Sequence, residues 1–200
     1  PICARVLTTS AAPSIASVYG TPPSFADMLA IGISQSGKSP DIVATLAAAK
    51  AGGARTAAMV NVVDSPLAAL ADTVLPLSAG PETSVAATKS FLATLCAITA
   101  LVAEWTQDEA LAAALAGLPG LLRQAFECDW SAMVDTLASA QGLYVIGRGI
   151  GLGVAQEAAL KFKETCGLHA EAFSSAEVKH GPMALVGRHF PLLVIRQDDE

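Results

Sequence analysis

One plan occurs twice in this chain: an apolar strand, a turn of small residues, then a helix. MLAIGIS at 28 to 34 runs into QSGKS and on into PDIVATLAAAKAGG. About 115 residues later, GLYVIG runs into RGIGLG and on into VAQEAALKFKE. TAAMVNVV at 56 to 63 and TVLPLSA at 73 to 79 read as further strands, with a short helix DSPLAALA between them, and FPLLVI reads as a last strand near the end. Strands separated by helices cannot pair through tight hairpins, so this alternation demands a parallel sheet covered on both faces. In such sheets ligands sit beyond the carboxyl ends of the strands.

The first helix has a signal at each end. Ser39 suits the N-cap, Pro40 the first helical position, Asp41 the first turn, and Gly52 or Gly53 the terminal cap. From 107 to 141 the chain reads as helical, broken at LPG (118 to 120), with Trp130 anchoring the second half. FLATLCAITALVA at 91 to 103 is too short for a membrane span and is interrupted by Thr94 and Thr99, so it reads as a buried helix, in a core or at a subunit interface.

Composition narrows the function. With 52% hydrophobic and 15% charged residues among 200, the chain can bury a substantial core. Its net charge of −6 offers no broad cationic surface for nucleic acid or an anionic membrane, so an anionic ligand must be held locally. Cys3, Cys96, Cys128 and Cys166 are scattered, which indicates neither a zinc site nor a disulfide framework and suits a reducing cytoplasm. No basic segment and apolar run mark a signal peptide at the N-terminus. The chain opens in the strand-like ICARVLT and stops just after FPLLVI, as a piece of a longer protein would.

GISQSGKS at 32 to 39 satisfies the phosphate-loop pattern G-x-x-x-x-G-K-[ST]. Gly32 lies between Ile31 and Ile33, inside the expected strand, which leaves only SQSGKS for the loop. That is short for a triphosphate, and TVLPLSA ends without the carboxylate that would hold magnesium. Ser34, Gln35, Ser36 and Ser39, with the backbone N–H groups of the turn, suit a phosphate monoester instead. Serines that merely cap a helix and shape a turn are the plainer alternative.

SQSGKSPD, then GPETSVAATKSF, then ALKFKETCGLHAEAFSSAEVKHGP together resemble the sugar isomerase (SIS) domain family, specifically the double-SIS enzymes of amino-sugar phosphates. Those are the isomerase half of glutamine:fructose-6-phosphate amidotransferase and the isomerase-type glucosamine-6-phosphate deaminases. The resemblance implies a three-layer α-β-α fold with a parallel, flavodoxin-like sheet and two units in tandem. It divides the chain into a first unit at 1–105, lacking its first strand and helix, a helical connection at 106–141, and the start of a second unit at 142–200.

It also implies site residues. Ser34, Gln35, Ser36 and Ser39 would hold the sugar phosphate, and the loop around Val85 and Ala87 would contact the sugar, with Thr88 as a substitute hydroxyl where relatives carry one at Ala87. Relatives often read S-Q-S-G-E-T, so the charge at Lys38 is reversed. Glu164 would move the C1/C2 proton, His180 of a neighbouring copy would open the sugar ring, and Lys161 would stand near the reacting atoms. His169 and Glu171 are read as structural or interface residues. Arg148 suits an anion or a carboxylate, and Gly149, Gly151 and Gly153 suit close helix–strand packing. No metal or cofactor is implied.

Taken alone, Glu164 beside Lys161 and Lys163 is a plain surface acid, and His180 in the KHGP turn an ordinary loop histidine. The expected activity is conversion of glucosamine 6-phosphate to fructose 6-phosphate with release of ammonia, by a homodimer whose sites are shared between subunits. The glutamine-dependent transaminase is the close alternative. A non-catalytic sugar-phosphate sensor and a P-loop NTPase are the others.

Overall fold

The structure is a computed structural model and describes residues 24–196. The expected opening strand, Cys3, and most of the turn-rich stretch that follows lie outside the described residues, as does the acidic end at 198–200. The chain divides into two compact units between Gly117 and Leu118.

In the first unit β1 (Leu29–Ser34), α1 (Pro40–Ala51), β2 (Arg55–Val60), α2 (Pro66–Leu70), β3 (Thr73–Pro76) and α3 (Lys89–Thr106) follow in order. The three strands form one parallel sheet, β1-β2-β3, with Leu29 opposite Arg55 and Ala57 opposite Thr73. β2 is buried on both faces from Thr56 to Val60, and on one of them Ala58 and Val60 are fully buried against Leu46 of α1 and Leu67 and Ala68 of α2. Complete burial of Leu67 contributes about 2 kcal/mol. Gly32 is a strand residue, as its sequence position implies. A Cβ there would stand 3.2 Å from Leu67 and 3.3 Å from Leu46, so glycine lets both helices close onto β1.

The caps of α1 fall as expected. Ser39 is the N-cap with extended backbone, Pro40 opens the helix and Asp41 lies in its first turn. At the far end Gly52 caps the helix, and Gly53 takes φ +94°. Lys50 of the last turn donates to Leu70 O at 2.8 Å and pairs with Asp72 at 2.7 Å. The Asp72 carboxylate also accepts from the N–H (2.9 Å) and hydroxyl (2.8 Å) of Thr56, so one side chain ties α1 to the start of β2.

Lys50 first, then Thr56, pull the Asp72 carboxyl below its ordinary 3.8 to about 2. A depressed carboxyl stabilises the fold above its unfolded pKa, and that contribution disappears as the pH falls toward 2. The pair is nearly half exposed, so Asp72→Asn is expected to lower the melting temperature at pH 7 by only about 2 °C. The gap between variant and parent should close between about pH 4 and pH 2. Thermal melts across that range check it.

Two expectations are corrected in the helices. Pro119 does not break the chain: α4 runs Glu109–Phe126 with Pro119 inside it. None of its residues is buried, and a Cβ at Gly117 or Gly120 would meet nothing within 4 Å. The ring therefore has room, and solvent can serve the carbonyl that loses its donor. The apolar helix, α3, is not a core helix within this chain. Only Ser90 and Ala103 are buried, while Leu92, Leu95, Ile98 and Val102 are exposed. Its apolar residues encircle the helix, so packing on one side leaves the others uncovered. Thr94 and Thr99 satisfy their hydroxyls on the helix itself, donating to Ser90 O at 2.7 Å and Leu95 O at 2.8 Å.

In the second unit α5 (Ser131–Leu137) precedes β4 (Gly142–Gly147), α6 (Ile150–Cys166), β5 (His169–Ser174), short 3₁₀ turns at Glu177–His180 and Pro182–Leu185, and β6 (Leu192–Val194). The sheet is again parallel, in the order β5-β4-β6. Leu143 and Val145 of β4 are fully buried against Ala155 and Ala159 of α6 and Ala170 of β5. Trp130 is half exposed, and its indole N–H closes the corner before α5 by donating to Ala125 O at 3.3 Å. No helix among the described residues is long and apolar enough to cross a membrane.

Candidate functional site

The turn from Ser34 to Ser39 leaves the carboxyl end of β1 and enters α1. Ser34 is buried, and its hydroxyl accepts the N–H of Gly37 at 3.0 Å; the Ser36 hydroxyl accepts the N–H of Lys38 at 3.3 Å. These bonds curl six residues into a compact crook. Gly37 requires glycine twice over. Its φ is +63°, and a Cβ would stand 2.1 Å from the Ser65 hydroxyl oxygen. Ser65 in turn caps α2 by accepting from Ala68 N–H at 3.5 Å, and Leu67 N–H donates to Gly37 O at 3.0 Å.

Gln35 and Ser36 are partly exposed, and Lys38 is exposed. Ser39 makes no side-chain capping bond, so its hydroxyl is not consumed by the helix it starts. The turn thus gathers serine hydroxyls and backbone N–H groups where the dipole of α1 favours an anion.

The loop after β3 stands at the same carboxyl edge of the sheet. Asn61, just past β2, donates to Gly80 O at 2.7 Å and accepts from Ala79 N–H at 2.8 Å. Val85 is fully exposed, Ala87 partly so, and Thr88 is exposed at the N-cap of α3 without a side-chain cap bond. Sequence reasoning missed Asn61 and Glu82, which hold this loop. Their partners are backbone groups and the Ser90 hydroxyl, and such loop contacts leave no periodic signature.

In the second unit Lys161 and Glu164 meet on α6, their charged atoms 2.5 Å apart, and Glu157 reaches the same ammonium at 3.4 Å. One turn before and one turn after Lys161, two carboxylates flank it on a single helical face. The hydrogen bond to Glu164 is the largest cause raising the Lys161 pKa above its ordinary 10.5, so this lysine is charged at neutral pH. Glu157 was legible in principle from its i, i+4 spacing to Lys161.

His180 lies elsewhere, exposed at the end of the 3₁₀ turn Glu177–His180. Val178 in that turn is buried on Tyr144, whose ring also meets Phe173 and Phe190 edge-on and whose hydroxyl donates to Pro182 O at 3.1 Å. A helix joining two neighbouring parallel strands runs back against them. Glu164, two residues before the end of α6, is therefore level with the amino ends of β4 and β5, whereas His180 follows the carboxyl end of β5. Across the sheet, α6 packs on the face of β4 that carries Leu143 and Val145, whereas the turn of His180 packs through Val178 on the face that carries Tyr144 and Ile146, so the two residues belong to elements on opposite faces.

The glycines of the second turn divide. At Gly147 an added Cβ would fall 2.3 Å from Gly151 O and 2.6 Å from its carbonyl carbon, and Gly149 takes φ +54°. Gly151 is buried in that contact, but Gly153 faces open space, so the expected packing role does not extend to it. His169 and Glu171 are exposed on β5, an edge strand.

Two parallel α/β segments, the first with a serine-rich crook at a helix start, are the build of sugar-isomerase domains. The chain belongs to the SIS domain family, which matches residues 6–104 and 136–200. Among particular relatives, a crystal structure from Silicibacter pomeroyi DSS-3, assigned as a phosphosugar isomerase, is 46% identical with a TM-score of 0.88, over 94% of this chain and 58% of that one. The C-terminal domain of glucosamine-fructose-6-phosphate aminotransferase from Francisella tularensis is 31% identical with a TM-score of 0.74, over 86% of this chain and 52% of that one. An isomerizing glutamine–fructose-6-phosphate aminotransferase of Bartonella henselae is 35% identical over 90% of this chain. The chain spans about a third of the length of the curated relatives it matches.

Proposed function

We propose that this chain supplies the catalytic core of an enzyme interconverting glucosamine 6-phosphate and fructose 6-phosphate in the cytoplasm. The carrying observation is the Ser34–Ser39 crook, a phosphate seat with neutral side-chain donors. Ser34, Gln35, Ser36 and Ser39 hold the phosphate, and Val85, Ala87 and Thr88 meet the sugar. Glu164 carries the proton between C1 and C2, Lys161 stabilises the enolate oxygen that develops, and His180 opens the ring.

Release of ammonia is the preferred version. The Silicibacter structure, 46% identical and assigned as a phosphosugar isomerase, supports a reaction that does not depend on glutamine. The glutamine-dependent version remains the rival, supported by the aminotransferase relatives. The intact protein given glucosamine 6-phosphate should release ammonia and fructose 6-phosphate without glutamine. Folded enzyme that forms product only from fructose 6-phosphate and glutamine would favour the synthase, and no turnover of either would favour a sensor.

The separation of Glu164 from His180 within one chain supports a site shared between two copies. Mixing intact Glu164→Gln and His180→Asn proteins, each inactive alone, should then restore about a quarter of parental activity, since half the dimers are hybrid and each hybrid has one complete site. Assays after subunit exchange check it, and no recovery would place both groups in one subunit's site.

A further inference from the structure

The loop Glu82–Ser90 is closed by one oxygen. Glu82 Oε1 accepts the N–H of Thr88 at 3.1 Å, the N–H of Ser90 at 2.8 Å and the Ser90 hydroxyl at 3.0 Å. Ser90 is buried and Glu82 partly exposed, so the carboxylate reaches in from the surface to meet it. Lys89 donates to Pro81 O at 2.6 Å and Asn61 holds Gly80, so the foot of the loop is tied on both sides. Above these ties rises the crest Thr83–Ala87, with Val85 fully exposed and Ala86 buried beneath it. The Ser90 N–H first, with the other donors, holds the Glu82 carboxyl below its ordinary 4.5, so the clasp is made at neutral pH.

Two N–H groups at the start of α3 are therefore already taken by a protein carboxylate. A second negative group is unwelcome there, which leaves the start of α1 for the phosphate. The geometry points to Glu82 as the positioning residue of the sugar-contacting loop: it fixes Val85 to Thr88 in the posture that meets the sugar and keeps the phosphate off α3. This rests on the sugar-phosphate reading above and assigns a role within that site.

Without the clasp the crest loses its ties at Thr88 and Ser90, and the cost of restoring its posture falls on the sugar contacts. In the intact protein, Glu82→Ala is expected to weaken fructose 6-phosphate about tenfold in calorimetric titration, while inorganic phosphate, seated on Ser34–Ser39, changes by less than about twofold. Glu82→Gln keeps an acceptor oxygen and should recover most of the loss. Equal weakening of both ligands, or no weakening of either, would overturn the role of Glu82; if the Ala variant does not fold, Ser90→Ala, which removes one donor to the clasp, must weaken fructose 6-phosphate while sparing inorganic phosphate, and unchanged sugar binding would overturn the role. Failure of the unsubstituted protein to bind fructose 6-phosphate at all would instead overturn the parent reading.

Discussion

Glu164→Gln in the intact protein should lower the turnover of sugar phosphate by about 10²- to 10⁴-fold. The amide keeps the size of the side chain but cannot accept and return a proton, so the loss should fall on kcat with little change in KM. Lys161 makes the substitution informative. Its ammonium is held at 2.5 Å by Glu164 and at 3.4 Å by Glu157, so removing one carboxylate leaves the other to keep the lysine in place. A raised lysine pKa means the pair contributes fully at neutral pH and fades only as the pH climbs past 10.5, so the variant forfeits that contribution; the pair is partly exposed and Glu157 remains, so the melting temperature should fall by only a few degrees. Steady-state kinetics with a melting curve check this, and a folded variant with unchanged kcat would remove Glu164 from the mechanism.

Gly147→Ala should destabilise the second unit by about 3 kcal/mol. The added methyl would meet Gly151 O at 2.3 Å, its carbonyl carbon at 2.6 Å and Leu152 Cα at 2.9 Å, all backbone of the first turn of α6. Backbone cannot swing aside as a side chain can, so β4 and α6 must part. Gly32 is the natural control, because there the nearest atoms belong to the flexible Leu67 and Leu46 side chains at 3.2 and 3.3 Å, and alanine should cost far less. Urea unfolding of both variants, followed by far-ultraviolet circular dichroism, measures the difference.

The parallel α/β architecture was legible because its signals are local. Ser39, Pro40 and Asp41 announce the start of α1, Gly52 its end, and the strand around Gly32 is apolar on both flanks. The P-loop pattern was resolved from the same logic, since a glycine between two isoleucines belongs to a strand. What stayed hidden depends on surroundings. Pro119 disrupts a helix in most settings, and only the open space around α4 explains its tolerance. Likewise the apolar run in α3 says that burial is favourable without saying what would bury it.

In the site, the crook and the Lys161–Glu164 pair were readable from spacing. The clasp made by Glu82 was not, because an acid six and eight residues from its donor groups matches no helical or strand period. The separation of Glu164 from His180 needed the observed packing, in which α6 covers the Leu143 and Val145 face of β4 and the turn of Val178 covers the Tyr144 and Ile146 face.

The contact between Gly37 and Ser65 carries a consequence for variation. The turn and the cap of α2 occupy one volume, so a library randomised at position 65 and selected for a folded first unit should return serine, alanine and glycine and little else. A screen for altered ligand preference that mutates only the visible turn would leave its hidden half untouched; the two positions have to be diversified as a pair.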